Sequence, residues 1–142
     1  MEFKSMLRRV VGGAAVLAAV GAMLMVPGSA GAAPASVTAD PSTPFRVAYG
    51  ATVGSGTIRW HQRSVDVDYT FKANYCRRLY AFAYDRQGFE RSRRSTSLHC
   101  DDTSSDTWNL PVNLQGGPGW VHICIANDDD LYVVCDEYKV PA

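Results

Sequence analysis

The chain has 142 residues, of which 46% are hydrophobic and 20% charged, and its formal net charge at pH 7 is zero. This length and hydrophobic content are typical of one globular domain with its own core. A neutral charge balance produces no overall field that would attract nucleic acid or an anionic membrane. We therefore expect no nucleic-acid partner.

The N-terminal segment differs in composition from the rest of the chain. Its basic residues come first: Lys4, Arg8 and Arg9. An uncharged run of Val, Ala, Gly, Leu and Met follows over residues 10–26, and small residues come after it, which is the order of a secretory signal peptide. We predict a signal peptide over residues 1–32 with cleavage after Ala32, and hence a secreted protein. The alternative cleavage sites follow Ala33 and Ala35.

A membrane anchor is the weaker interpretation of this segment. The run over residues 10–26 is shorter than the roughly 20 strongly apolar residues that span a bilayer, and it is rich in Ala and Gly. No Cys follows it directly, which argues against a lipid anchor, and the pair Arg8 and Arg9 leaves the export route open. We expect no membrane association after cleavage.

The predicted mature part consists of a flexible lead-in over residues 33–44 and a single domain over residues 45–142. No stretch of ten residues in that domain shows a helical period, whereas apolar and polar residues alternate in several places. The predicted strands are residues 56–61, 65–71, 79–85, 89–98, 107–114, 120–126 and 131–138, with a weaker candidate at 45–49. Seven short runs separated by turn residues predict an all-β, seven-stranded antiparallel sandwich similar to immunoglobulin and fibronectin type III domains. A small β-barrel or a jelly-roll-like arrangement is the alternative.

The predicted mature part contains every cysteine of the chain: Cys76, Cys100, Cys124 and Cys135. An even number of cysteines in an exported protein favours disulfides over a metal site, and no C-x-x-C pair suggests zinc. Two residues equidistant from the turn of an antiparallel hairpin face each other. Cys76 and Cys100 are centred on Gly88, which lies in a turn-like sequence.

The second cysteine pair shows the same symmetry. Cys124 and Cys135 are centred in the Asn-Asp-Asp-Asp sequence of residues 127–130, which is again typical of a turn. Of the three possible connectivities, the spacing favours Cys76 with Cys100 and Cys124 with Cys135.

Three histidines are the candidates for acid–base chemistry: His61, His99 and His122. None lies in a catalytic or metal-binding motif such as H-E-x-x-H or G-x-S-x-G, and the predicted disulfides leave no free thiol. His122 faces Glu137 in the predicted register, which favours an ordinary cross-strand polar pair. We therefore expect no enzyme activity and no cofactor.

The carboxylates of Asp128, Asp129 and Asp130 are grouped in one predicted turn. Oxygen ligands of this kind suit Ca²⁺, but the spacing is not that of an EF-hand loop, and consecutive side chains point in different directions. A solvated turn without metal is therefore favoured, and calcium stays an alternative.

Four arginines are grouped around the hairpin that Gly88 is predicted to turn: Arg86, Arg91, Arg93 and Arg94. Guanidinium groups bind carboxylate and phosphate in a bidentate manner, so these residues are candidates for contact with an acidic protein or a cell-wall polyanion. The alternative is that basic side chains protect an exposed edge strand from aggregation.

Aromatic residues form a second candidate surface. Side chains alternate between the two faces of a strand, so Trp120 faces outward if Val121 and the apolar residues at alternate positions after it face the core. Tyr80 and Tyr84 belong to a strand that is apolar on both faces, which is typical of a central strand or of a contact surface. The candidate binding surface therefore also includes Tyr80, Tyr84 and Trp120.

Four features of the sequence stand together: an Ala-rich leader, Gly-Thr-Ile-Arg-Trp at residues 56–60, a Cys before the strand at residue 79, and Trp-Val-His-Ile-Cys at residues 120–124. In these features the chain resembles small exported two-disulfide β-domain proteins of actinobacteria. The resemblance implies export and a β-fold, and it transfers no functional residue.

These patterns favour a secreted, monomeric, non-catalytic binding or interaction domain whose partner is an extracellular protein or a cell-wall polymer. A secreted inhibitor of an extracellular hydrolase is the second hypothesis, in which a loop at residues 101–106 or 115–119 would enter an enzyme cleft. A small hydrolase that uses the histidines is the third.

Overall fold

Every regular element of the described part of the chain is a β-strand. The computed structural model describes residues 39–142, so the predicted signal peptide and the first half of the predicted lead-in lie outside the described residues. Over residues 39–142 there is no helix, and therefore none of the length and apolar character that crossing a membrane requires.

Nine strands form two antiparallel sheets. They are β1 (Ser42–Tyr49), β2 (Thr52–Trp60), β3 (Ser64–Lys72), β4 (Cys76–Asp85), β5 (Glu90–Ser95), β6 (His99–Cys100), β7 (Thr103–Pro111), β8 (Pro118–Ala126) and β9 (Tyr132–Lys139). The first sheet has the order β1-β2-β3-β7, and the second has the order β5-β4-β8-β9 with β6 paired to β4. The predicted all-β antiparallel sandwich is confirmed.

The number of strands differs from the predicted seven for two reasons. The weak candidate at residues 45–49 is a full strand of 8 residues, which begins at Ser42 inside the predicted lead-in. It lies at an edge, where Pro44 is tolerated. Of the predicted run at residues 89–98 only residues 90–95 form a strand, β5, and the two-residue strand β6 follows that run. The Thr96 hydroxyl accepts the hydrogen bond from Leu79 N, and this side-chain acceptor ends the regular ladder after Ser95.

The core lies between the inner faces of the two sheets. In β3 the alternation predicted from the sequence is observed, since Val65, Val67 and Phe71 are fully buried. Leu79 and Ile123 meet them from the second sheet, and both are also fully buried. β4 lies between β5 and β8 in the second sheet. Since side chains alternate along a strand, the apolar residues of β4 next to Leu79, Ala81 and Ala83 point outward, away from this core.

Both predicted disulfides are confirmed. Cys76 faces Cys100 across β4 and β6, and Cys124 faces Cys135 across β8 and β9. Each bridge therefore closes one hairpin of the second sheet. Gly88, the predicted centre of the first hairpin, has a φ of 95° and lies in the turn between β4 and β5.

A tyrosine closes one edge of the sandwich. The hydroxyl of Tyr138 in β9 accepts a hydrogen bond from Arg46 N in β1 at 3.2 Å and donates one to Arg46 O at 3.0 Å. Its ring packs edge-on against Phe45. One side chain thus satisfies both polar groups of a residue on an edge strand that would otherwise be open to pairing.

Replacing either cysteine pair with Ala should destabilise the domain. The loop-entropy relation gives about 3 kcal/mol for each bridge, against a typical total of about 5 to 15 kcal/mol. The separations of 24 and 11 residues make the loss slightly larger for Cys76 and Cys100. Urea unfolding of the two double variants tests this, and an unchanged unfolding midpoint in either variant would contradict it.

Candidate binding surfaces

The outer face of the second sheet carries a cluster of aromatic side chains, which we call the aromatic face. Its members are Tyr80, Phe82, Tyr84, Trp120 and Tyr132. Tyr84 is the register partner of Trp120, and both side chains point to the face of the sheet opposite to the buried Val121. The structure therefore places all three aromatic residues predicted from the sequence on one surface.

The rings of the aromatic face pack mainly on one another. Tyr80 and Phe82 have nearly parallel planes with centroids 5.9 Å apart, and Tyr84 and Trp120 are nearly parallel at 5.6 Å. Tyr132 meets Tyr80 and Phe82 edge-on at 5.3 Å and 5.7 Å. Such pairs are favourable beyond the area they bury. The surface therefore presents ring edges and hydroxyl groups more than free ring faces.

Exposure varies strongly within this cluster. Phe82 is 6% exposed to solvent, whereas Tyr132 is 50% exposed. Phe82 thus forms the base of a small apolar layer outside the main core, and Tyr132 forms its most accessible part. Sequence patterns indicated the other aromatic residues but missed Tyr132, because its ring reaches β4 only through the bulge that β8 and β9 form.

The predicted aspartate turn contributes to the same surface. Asp130 accepts hydrogen bonds from Arg78 at 2.8 and 3.1 Å and from the Tyr80 hydroxyl at 2.9 Å. Its carboxylate is therefore engaged away from Asp128 and Asp129. Within residues 39–142 no group of three acidic, His or Cys side chains is placed to hold a metal ion.

The outer face of the first sheet is polar by contrast. Three residues of β3 bond side chain to side chain with their partners in β7: Asp66 with Asn109 at 2.7 Å, Asp68 with Thr107 at 2.6 Å, and Thr70 with Ser105 at 3.0 Å. Arg59 also pairs with Asp68. The two outer faces of the sandwich thus differ in chemistry, one being aromatic and the other a network of short polar side chains.

The four predicted arginines do not form one patch. Arg93 lies beside Phe82 on the aromatic face, and Arg94 lies on the opposite side of β5. Arg86 lines a cavity at the end of the sandwich. Arg91 is directed to Asp85, with Nη2 and Nε at 2.6 Å and 2.7 Å from Oδ2.

The contacts of Asp85 explain the position of Arg91. Asp85 is 2% exposed, and its carboxylate also accepts hydrogen bonds from the backbone N–H groups of Gln87 and Phe89. Burial raises the pKa of this carboxyl, but the hydrogen bonds and the Arg91 charge outweigh burial and hold the pKa below its usual value. Arg91 is therefore a structural residue that closes the β4–β5 hairpin.

Each histidine has a carboxylate partner. His122 lies 3.1 Å from Glu137, which confirms the predicted cross-strand pair, and His99 lies 3.0 Å from Asp102. Ser97 Oγ is 3.4 Å from His99, so these residues have a serine–histidine–aspartate order. That distance exceeds the roughly 2.6 to 3.2 Å of a hydrogen bond between a nucleophile and its base.

His61 is held by two carboxylates. Its Nδ1 lies 2.6 Å from Asp40 and its Nε2 lies 3.0 Å from Asp66, so both ring nitrogens are occupied. Burial lowers the pKa of His61, but the bonds to Asp66 and Asp40 outweigh burial and raise the pKa above 6.5. An imidazole in this arrangement acts as a link between the start of the domain and β3.

The loops considered for an inhibitor lie partly in a strand and partly in buried structure. Residues 103–106 belong to β7, and Gly117 and Pro118 are buried. A side-chain carbon at Gly117 would lie 2.5 Å from Gln62 O, so the loop at residues 115–119 packs directly on the loop between β2 and β3. The contact between these loops forms one wall of the end cavity.

The end cavity has a volume of about 470 Å³. Two basic side chains line it, Arg63 and Arg86, and Trp60 and Leu114 supply apolar surface. Sequence patterns missed this site because its walls come from five separate parts of the chain. The Gly-Gly-Pro sequence at residues 116–118 was the one local signal of an unusual loop there.

Comparison with known proteins adds no assignment, since no protein-family model and no curated protein sequence matches the chain.

Replacing Arg91 with Ala should lower the free energy of unfolding because it leaves the buried Asp85 carboxylate without its cation. Arg93→Ala is the matched control, since the Arg93 side chain is 67% exposed and its one ion pair within residues 39–142 is a 3.6 Å contact with Glu90. The control should change stability by less than about 0.5 kcal/mol. Thermal and urea unfolding compare the two, and equal effects would contradict the structural role of Arg91.

The link through His61 should depend on pH. Because the pKa of His61 is raised in the folded protein, its stabilising contribution is fully present below 6.5 and is lost as pH rises through the raised value. The stability difference between the native protein and His61→Gln should therefore shrink between about pH 5 and about pH 8. Urea unfolding at both values measures it, and a difference that grows with pH would refute the link.

Proposed function

We propose that this protein is a secreted, non-catalytic binding domain that contacts its partner through the aromatic face. The observation that carries the proposal is the difference between the two outer faces of the sandwich. One face consists of hydrogen-bonded Asp, Asn, Thr and Ser side chains. The other carries two neighbouring aromatic groups, Tyr80 with Phe82 and Tyr132, and Tyr84 with Trp120, flanked by Arg78 and Arg93. A sheet that served only for stability would need no apolar layer on its solvent side.

The composition of the aromatic face favours a protein partner. Tyr, Trp and Arg are enriched in the energetically dominant parts of protein interfaces. A polysaccharide would stack on free ring faces, whereas Tyr84 and Trp120 direct their faces toward each other. A cell-wall or other extracellular polymer is therefore the second candidate partner.

The strand order supports an immunoglobulin-like arrangement of the fibronectin type III kind. The orders β2-β3-β7 and β5-β4-β8-β9 correspond to strands A-B-E and C′-C-F-G of such domains. On this correspondence β1 is an additional edge strand and β6 is a short bridge to β4. Folds of this class carry many functions, so the proposed function rests on the surface and not on the fold.

Secretion is supported by two independent features. The N-terminal 32 residues have the composition of a signal peptide, and both cysteine pairs form disulfides, which persist in oxidising surroundings. These features, with the resemblance to exported actinobacterial β-domains, favour a role outside the cell.

The contacts of His61 and His122 support a role without catalysis. A general base needs one unprotonated ring nitrogen within reach of a substrate. His61 lines the end cavity, but carboxylates occupy both of its nitrogens. His122 is engaged with Glu137 beside the aromatic face, where it contributes a polar edge.

The partner should be captured by the native protein and lost on changing the aromatic face. We expect the double variant Trp120→Ala with Tyr132→Ala to bind at least about tenfold more weakly, because exposed aromatic residues dominate interface energies. The matched control is Thr70→Ala with Thr107→Ala on the polar outer face of the first sheet. Immobilised proteins are incubated with the culture supernatant of the source cells, and bound proteins are quantified.

Sedimentation with isolated cell wall distinguishes the two partner classes. A protein partner predicts little sedimentation of the native domain. Sedimentation that about 0.5 M NaCl abolishes would instead indicate a charged polymer. Equal capture by the native protein and the double aromatic variant, or equal loss in the control, would refute the aromatic face as the contact surface.

A further inference from the structure

The end cavity combines positive charge with an apolar interior. Its rim carries Arg63, from the turn after β2, and Arg86, from the turn after β4. Trp60, Leu114 and Val140 line its interior. A volume of about 470 Å³ lies within the range of about 300 to 1,000 Å³ that small-molecule sites occupy.

The two rim arginines have no ionic partner among residues 39–142. In the same range Arg59, Arg78 and Arg91 each pair with an aspartate. The one acidic residue of the cavity lining, Asp40, is engaged by His61. The rim therefore carries positive charge that the described domain does not neutralise.

The walls of the cavity are held in place without any ligand. The backbone N–H groups of Val112 and Asn113 both donate to Arg63 O, at 2.8 and 3.0 Å, so the turn that carries Arg63 is fixed to the chain that follows β7. Gly116, at a φ of 98°, lies next to the Arg86 side chain, and a side-chain carbon there would be 4.0 Å from Arg86 Cδ. The site is therefore largely formed in advance, which reduces the entropy cost of binding.

We propose that the end cavity binds a small organic acid, with its carboxylate between Arg63 and Arg86 and its apolar body against Leu114, Val140 and the 2% of Trp60 that stays exposed. Guanidinium groups bind carboxylates through paired, charge-assisted hydrogen bonds. The apolar lining selects acids with a hydrophobic group over small inorganic anions. The carboxylate belongs either to a free acid or to the C-terminus of a peptide.

This site is separate from the aromatic face. Trp60 is 2% exposed and lies between the core and the cavity, Trp120 belongs to the aromatic face, and Trp108 is 8% exposed on another part of the core. The three indole N–H groups therefore report on three different environments. The indole of Trp60 donates to Thr43 Oγ1 at 2.9 Å, so a ligand against its ring should shift its resonance.

The test titrates the protein collected from culture medium with defined probes, followed by nuclear magnetic resonance and calorimetry. The probes are phenylacetate, the peptide Ala-Ala-Phe with a free C-terminus, the same peptide with an amidated C-terminus, and inorganic phosphate. We expect phenylacetate or the free peptide to bind and to shift the Trp60 indole resonance while the other two indole resonances stay in place. A preference between these two probes identifies the source of the carboxylate.

Substitutions at the rim separate this site from unspecific attraction. Arg63→Ala and Arg86→Ala should each weaken binding by roughly tenfold or more. Arg94→Ala is the matched control, because Arg94 is exposed on β5, makes no ion pair with a described residue and does not line the cavity. Unchanged unfolding midpoints in all three variants establish that each is folded.

Several outcomes would overturn the proposal. They are no binding by either carboxylate probe, binding of the amidated peptide as tight as that of the free peptide, and phosphate binding as tight as that of the acids. An equal loss of affinity for the carboxylate probes in Arg94→Ala and Arg86→Ala would also overturn it. None of these results depends on the aromatic face, so failure here leaves the proposed function untouched and the reverse also holds.

Discussion

The apolar character of both faces of β4 is the constraint on which the second sheet depends. Its inner side chains, Leu79, Ala81 and Ala83, are fully buried against the first sheet. Its outer side chains are large aromatic residues that neighbours from β8 and β9 cover in part. β4 pairs with β5, β6 and β8. It also contains Cys76, which forms one disulfide, and the buried Asp85. The core, the bridge and the aromatic face thus share a single strand.

Sequence reasoning succeeded where the deciding contacts are local or symmetric. The alternation in β3 and the symmetry of the cysteine pairs about their turns predicted the strands and both bridges. It failed where a contact between residues distant in the chain determines where a strand ends or which partner a side chain has. The hydroxyl of Thr96 ends β5, and only the folded chain shows that Arg91 reaches Asp85. The end cavity was missed for the same reason, since the loops that form it are far apart in the chain.

The aromatic face shows how packing changes the meaning of exposed aromatic residues. Counted singly, Tyr80, Tyr84 and Trp120 suggest a platform for flat ligands such as sugars. Packed together, their rings satisfy one another and leave an uneven surface of edges, one hydroxyl bonded to Asp130, and a histidine. A surface of that shape fits side chains that enter between rings better than it fits a flat sugar.

The bond between Tyr138 and Arg46 ties the last strand of the domain to the first. A chain that stops short of Tyr138 would lack this contact, and the N–H and C=O groups of Arg46 on the edge strand β1 would be open to pairing with other chains however complete its core. The last strand thus protects an edge that the first strand exposes.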